Sequence, residues 1–152
     1  MTNNELAHKL KDLRDFLIIA GYEESHATRY TQIARLIEKM PEPIETVEAE
    51  GRLTDIPGVG KLVAMYIREI LTTGVSSKQR DWEQFAPVSV LELVRIEGIA
   101  AKTAKRLFQE FGIDGLASLK LALDSGILDD VSGIGPKTKA EMMKAVKAIS
   151  GA

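Results

Sequence analysis

The chain has 152 residues, an apolar fraction of 45% and a formal net charge of −2, enough for one large domain or two small ones around a buried core. The absence of cysteine excludes a disulfide framework, thiolate-bound zinc and a thiol nucleophile. No apolar run reaches membrane-spanning length, and Met1-Thr-Asn-Asn-Glu5 lacks the basic and apolar regions of a secretion signal, so a cytoplasmic location without membrane contact is expected.

Almost every segment reads as helix. Over residues 4–20, Leu6, Leu10, Leu13, Phe16, Leu17 and Ala20 recur at three- and four-residue spacing, and Gly21 ends the run. A second helix over 24–40 carries Tyr30, Ile33, Ala34 and Ile37 on one face and stops before Pro41 and Pro43. A short helix over 44–49 precedes Gly51. A further helix over 61–73 turns Val63, Ile67, Ile70 and Leu71 inward and ends at Gly74. The polar stretch Ser76-Ser-Lys-Gln-Arg80, followed by Trp82, Phe85 and Pro87, reads as a linker over 76–88, with the two aromatics pinning it to a domain. Helices follow over 89–94, 101–111, 116–123 and 137–149, with Met142 and Met143 inward. No segment alternates in the manner of a strand. The expected fold is therefore all-α, with helical subdomains over 1–75 and 89–152.

Three turns of one design recur between these helices: Leu53-Thr-Asp-Ile-Pro-Gly-Val-Gly60, Leu93-Val-Arg-Ile-Glu-Gly-Ile-Ala100 and Leu128-Asp-Asp-Val-Ser-Gly-Ile-Gly135. Their first glycines stand at 58, 98 and 133, a near-period that indicates duplicated units. In each, Gly58, Gly98 or Gly133 supplies a backbone conformation that a side chain hinders. Val59, Ile99 and Ile134 anchor the loop in the core. The small residues Gly60, Ala100 and Gly135 admit a ligand close to the amides of the helix that follows. That helix end carries roughly half a positive charge, and Lys61, Lys102, Lys105 and Lys137 lie beside it, an arrangement suited to phosphate oxygens. Glu97 sets a negative charge beside the second turn, with Lys102, Lys105 and Arg106 nearby to offset it. Ala64 and Ala104, four residues after the second small position, let the paired helices approach closely, whereas the third unit has Lys139 there. A plain helix-joining turn is the alternative for any one copy, and three matched copies favour phosphate.

The net charge is less basic than that of many nucleic-acid-binding proteins. However, residues 1–50 hold 6 basic and 10 acidic side chains, and residues 51–152, where the turns lie, hold 14 and 12. His8 and His26 stand on separate helices without a carboxylate pattern. Asp129-Asp130 reads as a solvated pair at the entry to the third turn, and the lysines at 137, 139, 144 and 147 as either a solvated face or a phosphate-facing stripe.

The turns resemble the helix-hairpin-helix motif of DNA-binding proteins. The whole chain resembles the N-terminal region of bacterial family X DNA polymerases, the 8-kDa lyase-type domain plus the fingers-like region. The matching residues are Ala27-Thr-Arg-Tyr-Thr-Gln-Ile-Ala-Arg-Leu-Ile-Glu-Lys-Met-Pro41, Ile56-Pro-Gly-Val-Gly60, Glu69-Ile-Leu-Thr-Thr-Gly74, Ala101-Lys-Thr-Ala-Lys-Arg-Leu-Phe108 and Gly133-Ile-Gly-Pro-Lys-Thr138. The resemblance implies an all-helical protein that grips gapped, nicked or duplex DNA. It also implies a monovalent cation, Na+ or K+, held by the backbone carbonyls of Thr54, Ile56 and Val59, of Val94, Ile96 and Ile99, and of Asp129, Val131 and Ile134. No other cofactor is expected.

The departures bear on activity. The chain has no counterpart of the polymerase palm. Tyr66 stands where the resemblance places the lyase's lysine nucleophile, and a phenol cannot form a Schiff base. Leu62 stands where it places a basic residue for a 5′-phosphate, while His26 and Tyr30 match the remainder of that pocket. The expectation is a monomeric, non-catalytic, largely sequence-independent DNA-binding protein of DNA repair or related metabolism, in which Gly58→Val and Gly133→Val each weaken binding without unfolding the chain. The alternatives are an abasic-site lyase with a relocated lysine, such as Lys61, and a module that docks onto repair proteins. Running from Met1 to Ile149-Ser-Gly-Ala152 after a complete third turn, the chain reads as a small natural protein.

Overall fold

A computed structural model describes residues 1–150, for Ser150 the backbone alone. Gly151 and Ala152, the end of the expected second subdomain, lie outside the described residues. Among the described residues the structure is helical throughout, without a strand. It divides into two compact units, Met1–Phe85 and Ala86–Ala152.

In the first unit, α1 (Asn3–Ala20) packs along α2 (Glu24–Lys39). The Thr2 hydroxyl caps α1 by accepting the Glu5 N–H at 3.1 Å. Asn3 ties the start of α1 to the far end of α2. Its Nδ2 donates to the carbonyls of Ile37 (3.2 Å) and Glu42 (2.8 Å), and its Oδ1 accepts the Ile44 N–H at 2.7 Å. The helices are thus antiparallel, as a three-residue connection requires. Leu6, Leu10, Leu13 and Leu17 meet Tyr30, Ile33, Ala34 and Ile37, and α3 (Ile44–Ala49) adds Ile44 and Val47. The first glycine turn and α4 (Lys61–Thr73) complete this core through Leu53, Ile56, Val59, Val63, Ile67 and Ile70. Leu71, expected inward with them, is only partly buried at the margin.

The stretch expected as linker is not an open connection. Ser77–Trp82 forms α5, which packs on α1 and α4 within the first unit. The buried Ser76 hydroxyl caps it by accepting the Gln79 N–H at 3.2 Å, and Glu69 of α4 accepts from both the N–H (3.1 Å) and the hydroxyl (2.9 Å) of Ser77. Trp82 packs edge-on against Tyr22 at 5.0 Å between centroids. The segment is too short and polar for periodicity to reveal a helix. Its fold comes from the Ser76 cap, the Glu69 carboxylate and the contact of Trp82 with Tyr22.

In the second unit, residues expected as one helix over 89–94 form a 3-10 turn, Val88–Val90, that passes into α6 (Leu91–Val94). α7 (Ala101–Phe111), α8 (Leu116–Ser125) and α9 (Pro136–Ser150) follow. The buried residues include Val90, Leu93, Ala104, Leu107, Ile113, Leu119, Leu128 and Met142. Met143, expected inward, is 51% exposed because it falls on the outer side of α9 from Met142. Glu92 of α6 accepts the first N–H of α8, that of Leu116, at 2.9 Å, a cap supplied by another element.

Candidate nucleic-acid interface

The three glycine turns share one backbone. Gly58, Gly98 and Gly133 have φ of +88°, +87° and +87°, the left-handed region that disfavours a Cβ. One residue later the N–H groups of Val59, Ile99 and Ile134 donate to the carbonyls of Ile56, Ile96 and Val131 at 3.0, 3.1 and 3.2 Å. Their side chains are buried, so each turn is pegged to its unit's interior. The following helix opens with Ala64 N–H to Gly60 O at 2.9 Å, Ala104 N–H to Ala100 O at 3.0 Å and Lys139 N–H to Gly135 O at 3.0 Å.

The second small residue is small for a different reason from the first. Gly60 has φ −91° and ψ −171°, Ala100 φ −96° and ψ 177°, an extended backbone open to any residue. A Cβ added at Gly60 or Gly135 would meet nothing within 4 Å. What a large side chain there would obstruct is the space in front of the helix amides. No side chain caps α4 or α7, so their first-turn N–H groups have no intrahelical acceptor and face outward at the positive end of the dipole. The third turn has one donor fewer, because α9 starts at Pro136.

Lys61, Lys102 and Lys137 are exposed near the helix starts, and Lys105 is half-buried one turn along α7. Within the second unit, Gly98 of the second turn and Lys137 of the third hairpin line one groove of about 320 Å³ together with Glu97, Thr138 and Glu141. The carboxylates on this groove temper its positive character. Among the described residues, no group of three or more His, Cys, Asp or Glu is placed to hold a metal ion.

The third turn is held by two cations that sequence reading does not assign to it. Arg106 of α7 donates Nη1 to the Ser132 carbonyl at 2.7 Å and Nε to Glu110 at 3.0 Å. Lys139 Nζ donates to the Asp129 carbonyl at 2.9 Å and lies 3.4 Å from Asp129 Oδ1. Of the α9 lysines read as a solvated face or a phosphate-facing stripe, Lys139 instead points into its own turn, and Asp129 is its partner. The signal available in the sequence was the exchange of the alanine found at 64 and 104 for lysine at 139.

The residues of the expected 5′-phosphate pocket differ in exposure. His26 is exposed at the start of α2, its ring 6.3 Å from that of Tyr22. Tyr30 is 2% exposed within the core, and burial pushes its phenol up to about 12. Tyr66 is also buried, and burial first, then the charge of Asp81, raises its phenol. Leu62 is 57% exposed on α4, beside Lys61. His8, expected without a carboxylate, has Asp12 Oδ2 3.8 Å from its Nε2, one helical turn on.

Residues 1–76 match the helix-hairpin-helix domain family, and residues 49–112 match the SAM-like helix-hairpin-helix tandem. The third turn lies beyond both spans. A DNA polymerase/3′-5′ exonuclease PolX of Bacillus subtilis (strain 168) is 19% identical over 146 residues, which cover 96% of this chain and 25% of that protein. A DNA polymerase lambda of Arabidopsis thaliana is 33% identical over 89 residues, covering 58% of this chain and 16% of that protein. The chain thus spans a quarter or less of the relatives it matches.

Proposed function

The chain belongs to the helix-hairpin-helix domain family, and from that premise we propose that it binds DNA, without catalysis and largely without regard to sequence, in DNA repair or related metabolism. The observation that carries this reading is the repetition of one turn geometry: a left-handed glycine and a buried apolar peg in all three, with an uncapped helix start behind a small residue in the first two. Such amides hold backbone phosphates, and phosphate contacts position a protein without reading bases. Gly58, Gly60, Lys61, Gly98, Ala100, Lys102, Lys105, Gly133, Gly135 and Lys137 form the phosphate-facing set. Exposed His26 flanks the first turn's unit as a candidate contact to a 5′-phosphate.

The first two turns also fit an alkali cation. Carbonyl oxygens suit such an ion, and those of Ile56 and Ile96 each accept one N–H and retain a second lone pair. Together with Thr54 and Val59, and with Val94 and Ile99, they would hold Na+ or K+, which supplies positive charge next to a phosphate. The buried phenol of Tyr66 offers no amine for Schiff-base chemistry, in keeping with a non-catalytic role.

A fluorescence-anisotropy titration against duplex, single-stranded and one-nucleotide-gapped DNA at several salt concentrations tests the reading. With about four to six phosphates engaged, log K falls with log salt at a slope of roughly −4 to −5. Absence of binding to all three DNAs at low salt overturns it. The exposed Leu62 and Met65 on α4 favour docking onto a repair protein as the second reading, and that outcome would make it the leading one.

A further inference from the structure

We infer that in the third hairpin the ammonium of Lys139, paired with the Asp129 carboxylate at 3.4 Å, takes the place that a monovalent cation takes in the other two, so that this turn already holds a fixed cation and does not bind K+ or Na+. This rests on the cation-assisted phosphate reading above and divides the three turns into two kinds.

The turns are matched in their glycine φ values, in the N–H to carbonyl bond across the turn and in the first helical bond. They differ at the residue that donates that first helical bond. Ala64 and Ala104 are buried, 1% and 0% exposed, and a methyl group reaches no carbonyl across the turn. Lys139 occupies the same register, and its side chain carries an ammonium back to the Asp129 carbonyl at 2.9 Å. In the shared frame Asp129 stands where Thr54 and Val94 stand, so the ammonium engages the first carbonyl of the third set. An alkylammonium and a potassium ion carry the same charge at similar radius, and both take carbonyl oxygens as ligands. A second cation at the same oxygens would be repelled.

Two further features of this turn agree. Arg106 Nη1 on the Ser132 carbonyl brings another positive charge to the same loop, 3.1 Å from where a Cβ on Gly133 would lie. Val131, the counterpart of the well-buried Ile56 and Ile96, is only half-buried, so less apolar packing holds the loop and tethering by side-chain cations replaces it.

The test is a K+ titration of the ¹⁵N-labelled full chain followed by amide chemical shifts, without DNA. N-methylglucamine chloride keeps ionic strength constant. In the wild type, the amides of residues 129–135 are expected to show no saturable response. In Lys139→Ala, which restores the residue found at 64 and 104, those amides gain a saturable K+-dependent shift. Lys139→Met, which keeps the aliphatic stem, gains it as well and guards against a variant that fails to fold. A saturable K+ response at residues 129–135 in the wild type overturns the inference, as does its absence from both folded variants. Because DNA is absent, failure of DNA binding in the anisotropy experiment is a separate outcome.

Discussion

The two small residues of each turn do different work, and substitutions separate them. Gly58 at φ +88° is a conformational requirement. Valine there is strained by roughly 2 kcal/mol or more, so Gly58→Val, and likewise Gly133→Val at φ +87°, is expected to lose stability as well as binding while staying folded. Gly60 is the cleaner probe, since its backbone is extended and the space before it open. Gly60→Leu is expected to keep its melting temperature within a few degrees while losing roughly tenfold or more in DNA affinity, and wild-type affinity in that folded variant would count against an amide cradle at the first turn. Tyr30 makes a second prediction at this scale. Its phenol is pushed up to about 12 by burial, from an ordinary value near 10. Between those values the folded chain binds a proton that the unfolded chain has released, so stability falls as pH rises through this window and is fully present below it. The loss amounts to about 3 kcal/mol at most. Tyr30→Phe should flatten the decline in urea midpoint between pH 10 and pH 12, and an unchanged slope would show that the phenol is not what titrates.

Helices in this chain are specified by two kinds of signal. Long amphipathic elements such as α1, α2, α4 and α7 follow from three- and four-residue spacing of apolar side chains, and their observed bounds differ from the expected ones by a residue at most. α5 follows instead from its cap and from contacts with other elements. It has no buried residue of its own and is held by the Ser76 cap, Glu69 and the Trp82–Tyr22 contact. Ser76→Ala should therefore cost about 1 kcal/mol and expose the amides of residues 77–82 to faster hydrogen exchange, leaving α1 and α2 protected. Equal deprotection of α1 would mean that α5 is integral to the core rather than docked on it. The same distinction explains the third hairpin. Its turn was legible as a repeat, whereas the inward course of Lys139 and Arg106 depends on where α7 and the third turn lie within the second unit.

Each of the two units has its own buried apolar set. Trp82 is the chain's one tryptophan and sits in the first unit. Its fluorescence reports that unit alone, while far-UV circular dichroism reports both. Denaturant unfolding is expected to give midpoints that differ between the two probes, since independent cores seldom share one stability. Coincident transitions across a urea series would show that the units unfold as one. The acidic excess of residues 1–50 falls in the first unit, just ahead of the first glycine turn, whereas the second and third turns lie in the other unit.

The amino-acid sequence by itself determined the helical class, the main helix positions and the three turns, because each rests on local physics: apolar periodicity, glycine at a left-handed position, proline and glycine at helix ends. The tertiary structure alone decided the attachment of α5 to the first unit and the outward course of Met143. It also decided which cations enter the third turn. These depend on distances between residues far apart in the chain, such as Arg106 to Ser132 and Tyr22 to Trp82. Spacing along a chain carries no record of such distances, because a long charged side chain can turn to solvent or back to a carbonyl with equal local ease, and only the surrounding packing removes one of the two choices.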